Sequence, residues 1–187
     1  MRSDAVRRRD ALIRAARRGF SIHGGDIALD HVAEAAGVGI ATLYRNFPSR
    51  AALADQVALS ILGDLRTASD EAMRQVARDP EAAWSRYIHR LVGLDLGALS
   101  AALTEHLTEG ISEPVRAAQE ETLAAVGDLL AAVREAGLIR TDLEPLELVL
   151  GIGLITRPLP EAVAQDAPDL VPRMVDILQA GMRVPKG

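Results

Sequence analysis

Arg45 and Asn46 are neighbours, and their side chains are the kind that hold two hydrogen-bonding atoms in one plane. A guanidinium can donate to guanine O6 and N7 together, and a carboxamide can pair with adenine in the same bidentate way. Asn46 has a second reading, in which its amide simply closes a helix. Just before them, Thr42 and Tyr44 carry hydroxyls suited to phosphate oxygens, and Arg50 follows at the same reach. Phosphate contacts position a protein on a duplex without reading its sequence. Ile40 and Ala41 are small and apolar enough to meet a thymine methyl, and Gly39 opens the segment and is counted with the same surface. Tyr44 also has a plainer reading, as a core ring with its hydroxyl at the surface.

Other chemistries find little support. His106 has Glu105 and Glu109 nearby, but on a helix only Glu109 shares its face, and no further ligand is suggested. Gly37-Val38-Gly39 and Gly151-Ile152-Gly153 follow no strand, so neither reads as a phosphate loop. The chain has no cysteine, which removes disulfides, thiolate metal sites and a cysteine nucleophile. The expectation is a protein that is not an enzyme and has no metal and no cofactor.

The side chains around Arg45 need a scaffold, and LDHVAEAAGVGIATLYRNFPSR, residues 29–50, supplies one. It reads as two short helices joined by a tight turn and closed by Pro48. Ala33, Val38, Leu43 and Phe47 are the apolar anchors, and Ala36 is small enough for close helix approach. Gly37 stands where a left-handed residue must end the first helix, a conformation glycine adopts without a Cβ penalty. The second helix, from about Gly39 to Asn46, then shows its polar side to the outside. This is a helix-turn-helix layout, in which the second helix enters the major groove.

With the turn, anchors and exposed residues in register, AEAAGVGIATLYRNFPSRAAL resembles the DNA-binding signature of the TetR family of bacterial transcriptional regulators. The likeness covers roughly residues 7–55; the remainder is similar in length and helical pattern. Family members often have Ser or Thr at the start of the first motif helix. Ala28 stands there instead, so the expected cap is Asp26 or Asp30. The resemblance implies a dimer held by a four-helix interface and an effector that regulates DNA binding.

Charge agrees with a divided molecule. The net charge is −5, yet residues 1–50 hold nine Arg against five acids, for +4, while residues 51–187 carry −9. A basic head on an acidic body points the head toward a polyanion and keeps the body away. The chain is 49% hydrophobic over 187 residues, sufficient for a substantial core. MRSDAVRRRD has no apolar run behind it, so it does not read as a secretory signal, and no span of ~18 apolar residues occurs. A cytoplasmic location is expected.

In chain order, the predicted fold is all-α. A helix over about 4–22 packs Leu12, Ile13, Ala16 and Phe20 on the motif, with Arg7, Arg8, Arg9, Arg14, Arg17 and Arg18 mostly off that face. Arg7 to Arg9 can follow the DNA backbone or simply be solvated. Ser49 is placed to cap a long helix over about 50–76, with Leu53, Val57, Ile61, Leu65, Met73 and Val76 as its stripe. That helix links a head, residues 1–48, to a body, residues 49–187. The body reads as helices near 81–96, 98–109, 112–136, 145–157 and 169–182, with Ser112 capping the third and Asp142 and Pro145 opening the fourth.

Two expectations concern the body. LELVLGIGLIT is apolar nearly all round, and Gly151 and Gly153 would admit another helix, so helices 145–157 and 169–182 are predicted to form a homodimer contact. A core helix of the monomer is the competing reading. The scarce aromatics Trp84 and Tyr87, with His106, are candidate ligand contacts, although all three also suit a plain core. The resulting expectation is a ligand-responsive regulator, a repressor, that binds a palindromic double-stranded DNA operator as a homodimer and is released by a small, mostly apolar effector. The alternative is an architectural DNA-binding protein without an effector, which would tolerate most sequences.

Overall fold

Glycines, prolines and helix caps divide the chain into the elements seen in the computed structural model, which describes residues 2–104, 110–140 and 142–184. The head contains α1 (Arg2–His23), α2 (Leu29–Ala35) and α3 (Ile40–Asn46), and α4 (Arg50–Val76) leaves it. A short 3-10 turn at Gly24–Asp26 separates α1 from α2. The body adds α5 (Pro80–Val92), α6 (Leu96–Thr104), α7 (Glu113–Glu135), α8 (Pro145–Ile155), α9 (Glu161–Asp166) and α10 (Leu170–Met182). Among the described residues there is no strand, only a single bridge between Ile139 and Arg183. No helix among them is long and apolar enough to cross a membrane.

The long α4 organises the packing. Leu53, Val57, Ile61 and Leu65 are fully buried, and α1, α5, α6 and α7 all pack against it. Met73 does not continue the stripe as expected: it is 37% exposed, and Ala68, Ser69 and Ala72 carry the buried face instead. The face turns because each four-residue step along a helix of 3.6 residues per turn advances about 40° around the axis. One buried apolar cluster includes residues of α1–α3 and residues of the body, so the core is continuous across α4.

Local signals account for most boundaries. The Ser49 hydroxyl accepts from the Ala52 amide at 3.1 Å and starts α4 as expected. Asp79 accepts from the Ala82 amide at 2.9 Å and starts α5 ahead of Pro80. Three expected caps fail. No side chain caps α2 at Ala28, so neither Asp26 nor Asp30 takes that role. The Ser112 hydroxyl is buried without a partner, because Pro114 removes one of the two amides an N-cap can reach. The α8 helix is opened by Glu144, in a reciprocal capping box with Glu147, while Asp142 pairs with Arg140 at 2.5 Å.

The body departs from expectation at two more places. The predicted helix over 81–96 ends at Val92, and a turn through Gly93, Leu94 and Asp95 starts α6 in a new direction. Asp95 takes φ +54, a left-handed conformation that a non-glycine residue gives no reason to expect. The six-residue α9 was not foreseen, since none of its residues is buried and it therefore has no apolar period to betray it.

Candidate nucleic-acid interface and effector chamber

The turn between α2 and α3 is built as its sequence requires. Gly37 has φ +70, its amide donates to Glu34 O at 2.9 Å, and the Val38 amide returns to Ala33 O at 3.0 Å. These bonds use carbonyls that the end of α2 would otherwise leave open. Val32, Ala33, Leu43 and Phe47 are buried beneath the turn and fix the angle of α3. The opposite side of α3 is then exposed by geometry alone.

That side presents Ala41, Tyr44 and Arg45 to solvent, with Gly39 exposed at the helix start and Ile40, Thr42 and Asn46 half-buried. Tyr44 is 49% exposed, so it is not a core ring. Arg45 leans back so that its Nε donates to Ala41 O at 3.2 Å, and the residue stays exposed. The Asn46 Nδ2 donates to Thr42 O at 2.8 Å, the helix-closing alternative. Arg50 turns inward: its Nη2 donates to Ile27 O at 2.6 Å and ties the start of α4 to the approach of α2.

Arg9, expected to follow the DNA backbone or to be solvated, instead packs inward and shapes this surface. Arg9 of α1 lies over the Phe47 ring at 4.5 Å, donates to Asn46 O at 3.2 Å and to Gln56 Oε1 at 2.8 Å. It therefore satisfies a last-turn carbonyl of α3 and places a positive charge at the negative end of that helix. A sequence signal existed: Arg9, Ile13 and Arg17 are spaced four apart on one helical ridge, beside Leu12, Ala16 and Phe20. Arg7, Arg8, Arg14 and Arg18 remain exposed around it and give the head its positive surface.

Of the residues expected as ligand contacts, Trp84 lines an open cleft of about 330 Å³ with Glu81, Ser85, Leu138 and Arg183, apart from the apolar cavity between α4, α6, α7 and α8. Trp84 and Tyr87 are together, with ring centroids 5.9 Å apart, and both are buried. The Tyr87 hydroxyl pairs with Ser69 Oγ at 3.0 Å. Burial pushes this phenol up to about 12, and the Ser69 hydrogen bond offsets only part of that. His106 lies outside the described residues. The enclosed apolar space is instead a cavity of about 50 Å³ between α4, α6, α7 and α8. Leucines of all four helices line it, Leu146 and Leu150 of α8 among them, with Ser100, Gln119 and Thr122 as its polar groups and no charged side chain. Thr122 Oγ1 is already committed to Ala118 O at 2.6 Å. Among the described residues no group of three His, Asp or Glu side chains is arranged to hold a metal.

The comparisons bear on the whole arrangement. The model of the tetR family of bacterial regulatory proteins matches residues 12–57, and that of the SbtR-like transcriptional regulator C-terminal domain matches residues 79–184. The chain belongs to the TetR family. Members of this family are DNA-binding transcriptional regulators, not enzymes. A TetR transcriptional regulator from Streptomyces coelicolor, SCO0520, is 28% identical with a TM-score of 0.62, over 95% of this chain and 99% of that one. A TetR regulator from Mycobacterium vanbaalenii is 27% identical with a TM-score of 0.60, over 98% and 99%. The proflavine complex of LfrR from Mycobacterium smegmatis shares the fold at 20% identity and a TM-score of 0.59, over 96% and 99%. The search of curated proteins returned no match.

Proposed function

We propose that this TetR-family regulator is a repressor that binds a palindromic operator as a homodimer and lets go when a small, mostly apolar effector enters the body. The observation that carries the reading is α3 itself: a helix anchored by Leu43 and Phe47 that holds Ala41, Tyr44 and Arg45 out to solvent. Arg45 reads a base, Gly39, Ile40, Ala41, Thr42 and Tyr44 contact methyl groups and backbone, and Asn46, Arg50 and Arg9 hold the helix in place. The head spans 1–48 and the body 49–187.

Homodimerisation is supported by the outer faces of α8 and α10. Leu154 is 76% exposed and Ile177 62%, and Leu170 and Met174 accompany them. A core helix of the monomer would not leave these side chains in water. Gly153 is no part of this surface: a Cβ there would meet Leu96 Cβ at 3.3 Å, so its small size serves α6 of the same protomer, while Gly151 faces open space.

The effector site is the space between α4, α6, α7 and α8, and its uncharged lining calls for an apolar ligand. LfrR was crystallised with proflavine, which shows that this fold admits a small molecule in that protein. Drug-sized ligands occupy ~300–1,000 Å³, so occupancy of the 50 Å³ cavity requires α6 to shift. Selection from random duplexes tests the reading. An inverted repeat with half-sites about one or more helical turns apart is expected. Binding without sequence enrichment would overturn it in favour of an architectural protein.

A further inference from the structure

Arg17 lies in α1, on the ridge that Arg9 and Ile13 begin, yet it serves neither the DNA surface nor the solvent. Its side chain is only 13% exposed. Nη1 donates to Ser60 Oγ at 3.2 Å and to Asp64 Oδ2 at 2.6 Å, both on α4. Nη2 donates to Leu94 O at 3.1 Å, and Nε lies 3.6 Å from Asp95 Oδ2, both in the turn that precedes α6. One guanidinium thus joins three elements: the first helix of the head, the helix that carries the head, and the turn that sets the position of α6.

Two independent features mark this junction as fixed. Asp95 is the one non-glycine residue with positive φ among the described residues, a conformation held only when its surroundings impose it. Immediately after it, α6 packs closely on α8, where a Cβ on Gly153 would come within 3.3 Å of Leu96 Cβ. A Cβ on Gly97 would lie 3.8 Å from Gly153 O of α8 and 4.0 Å from Ser21 Oγ of α1. The start of α6 thus lies in ordinary contact with both the head and α8, and α6 also supplies Leu96, Leu99 and Leu103 to the cavity.

We propose that Arg17 is a positioning residue that fixes the orientation of the DNA-reading head relative to the body. It rests on the operator-binding reading above but makes no contact with DNA. The planar fork is what the role requires. It reaches Asp64 and the Leu94 carbonyl in different directions at once, which a lysine ammonium cannot do from one stem. Loss of the clamp frees α1 to turn against α6 while the buried apolar contacts keep the chain folded.

Because the chain has no cysteine, a reporter pair is simply introduced. Glu34→Cys on α2 and Glu120→Cys on α7, both exposed positions, carry spin labels in full-length protein diluted with unlabelled chain, and the head-to-body distance is measured by double electron–electron resonance. In an otherwise unchanged chain a single narrow distribution is expected. Arg17→Met is expected to at least double its width, and Arg17→Lys is expected not to restore it. Asp95→Gly removes the carboxylate and the backbone strain together, so it folds even if Arg17→Met does not, and it is expected to broaden the distribution as well. The same variants are expected to lose preference between the selected operator and one with a base pair inserted between half-sites. Folded variants with unchanged width and unchanged spacing preference, whatever their Tm, would overturn the proposal. Failure to select any operator would contradict the DNA reading alone, since the distance measurement contains no DNA.

Discussion

At the scale of single residues, the arginines of this chain divide by what surrounds them rather than by charge. Among the described residues Arg45 bonds only the Ala41 carbonyl of its own helix, whereas Arg9, Arg17 and Arg50 are held by carbonyls, an amide oxygen or carboxylates elsewhere in the fold. Arg45→Ala is therefore expected to cost about 1–3 kcal/mol at the selected operator and to relax selectivity at one base position, read by repeating the selection. An equal loss on operator and random duplex would make Arg45 a phosphate contact. These assignments also mark the limit of the sequence. The exposure of Arg45 on α3 was legible because its neighbours lie within one turn of helix, but the partners of Arg9 and Arg17 stand dozens of residues away and no local spacing announces them.

Tyr87 gives a residue-scale prediction in pH. Its phenol is pushed up to about 12 in the folded protein from the ordinary value near 10, so the native state keeps a proton that the unfolded chain releases. Stability from this group is complete below pH 10 and is lost as pH rises toward 12, by at most ~1.4 kcal/mol per pH unit. Urea unfolding followed by circular dichroism at pH 9, 10 and 11 is expected to show this added slope in the unchanged chain. Tyr87→Phe is expected to lack it and to be less stable at pH 7 by about 0.5–1.5 kcal/mol, the worth of one hydrogen bond.

At the scale of elements, the head was readable because each boundary has its own chemistry: Gly37 in a left-handed turn, Pro48 as a stop and Ser49 as a cap. Gly37→Ala isolates that chemistry, since a Cβ there meets nothing within 4 Å and only the backbone conformation is penalised. A loss of about 1–2 kcal/mol in folding free energy is expected, measured by denaturant titration. The bend between α5 and α6 was hidden for the opposite reason. Asp95 holds a glycine-like conformation without being glycine, and Gly93-Leu94-Asp95-Leu96 continues an apolar helical pattern across the break. The apolar cavity was hidden similarly: scarcity made Trp84 and Tyr87 conspicuous, whereas ordinary leucines wall the space between α4, α6, α7 and α8.

At the scale of the whole molecule, the exposed faces of α8 and α10 are the largest departure from what a lone protomer requires. Ile177→Glu and Leu154→Glu place charges where the protomer already meets water, so folding is expected to be unchanged by circular dichroism. In a dimer each would bury a charge without a partner, at a cost that outweighs the ~1.5–3 kcal/mol an apolar side chain gains there. Light scattering is expected to report the unchanged chain at twice the protomer mass and the double variant at the protomer mass. The double variant should also bind the operator weakly while keeping its head intact. An unchanged mass for the double variant would place the dimer contact on another surface.

Duplex titration of the purified chain at fixed, moderate salt compares the selected palindrome, one isolated half-site and a scrambled duplex of equal length. Two chains are expected on the palindrome, bound about 10³-fold or more tighter than the scrambled duplex, with the half-site far weaker than the palindrome. Equal affinity for all three would mean that α3 does not read sequence as one half of a pair.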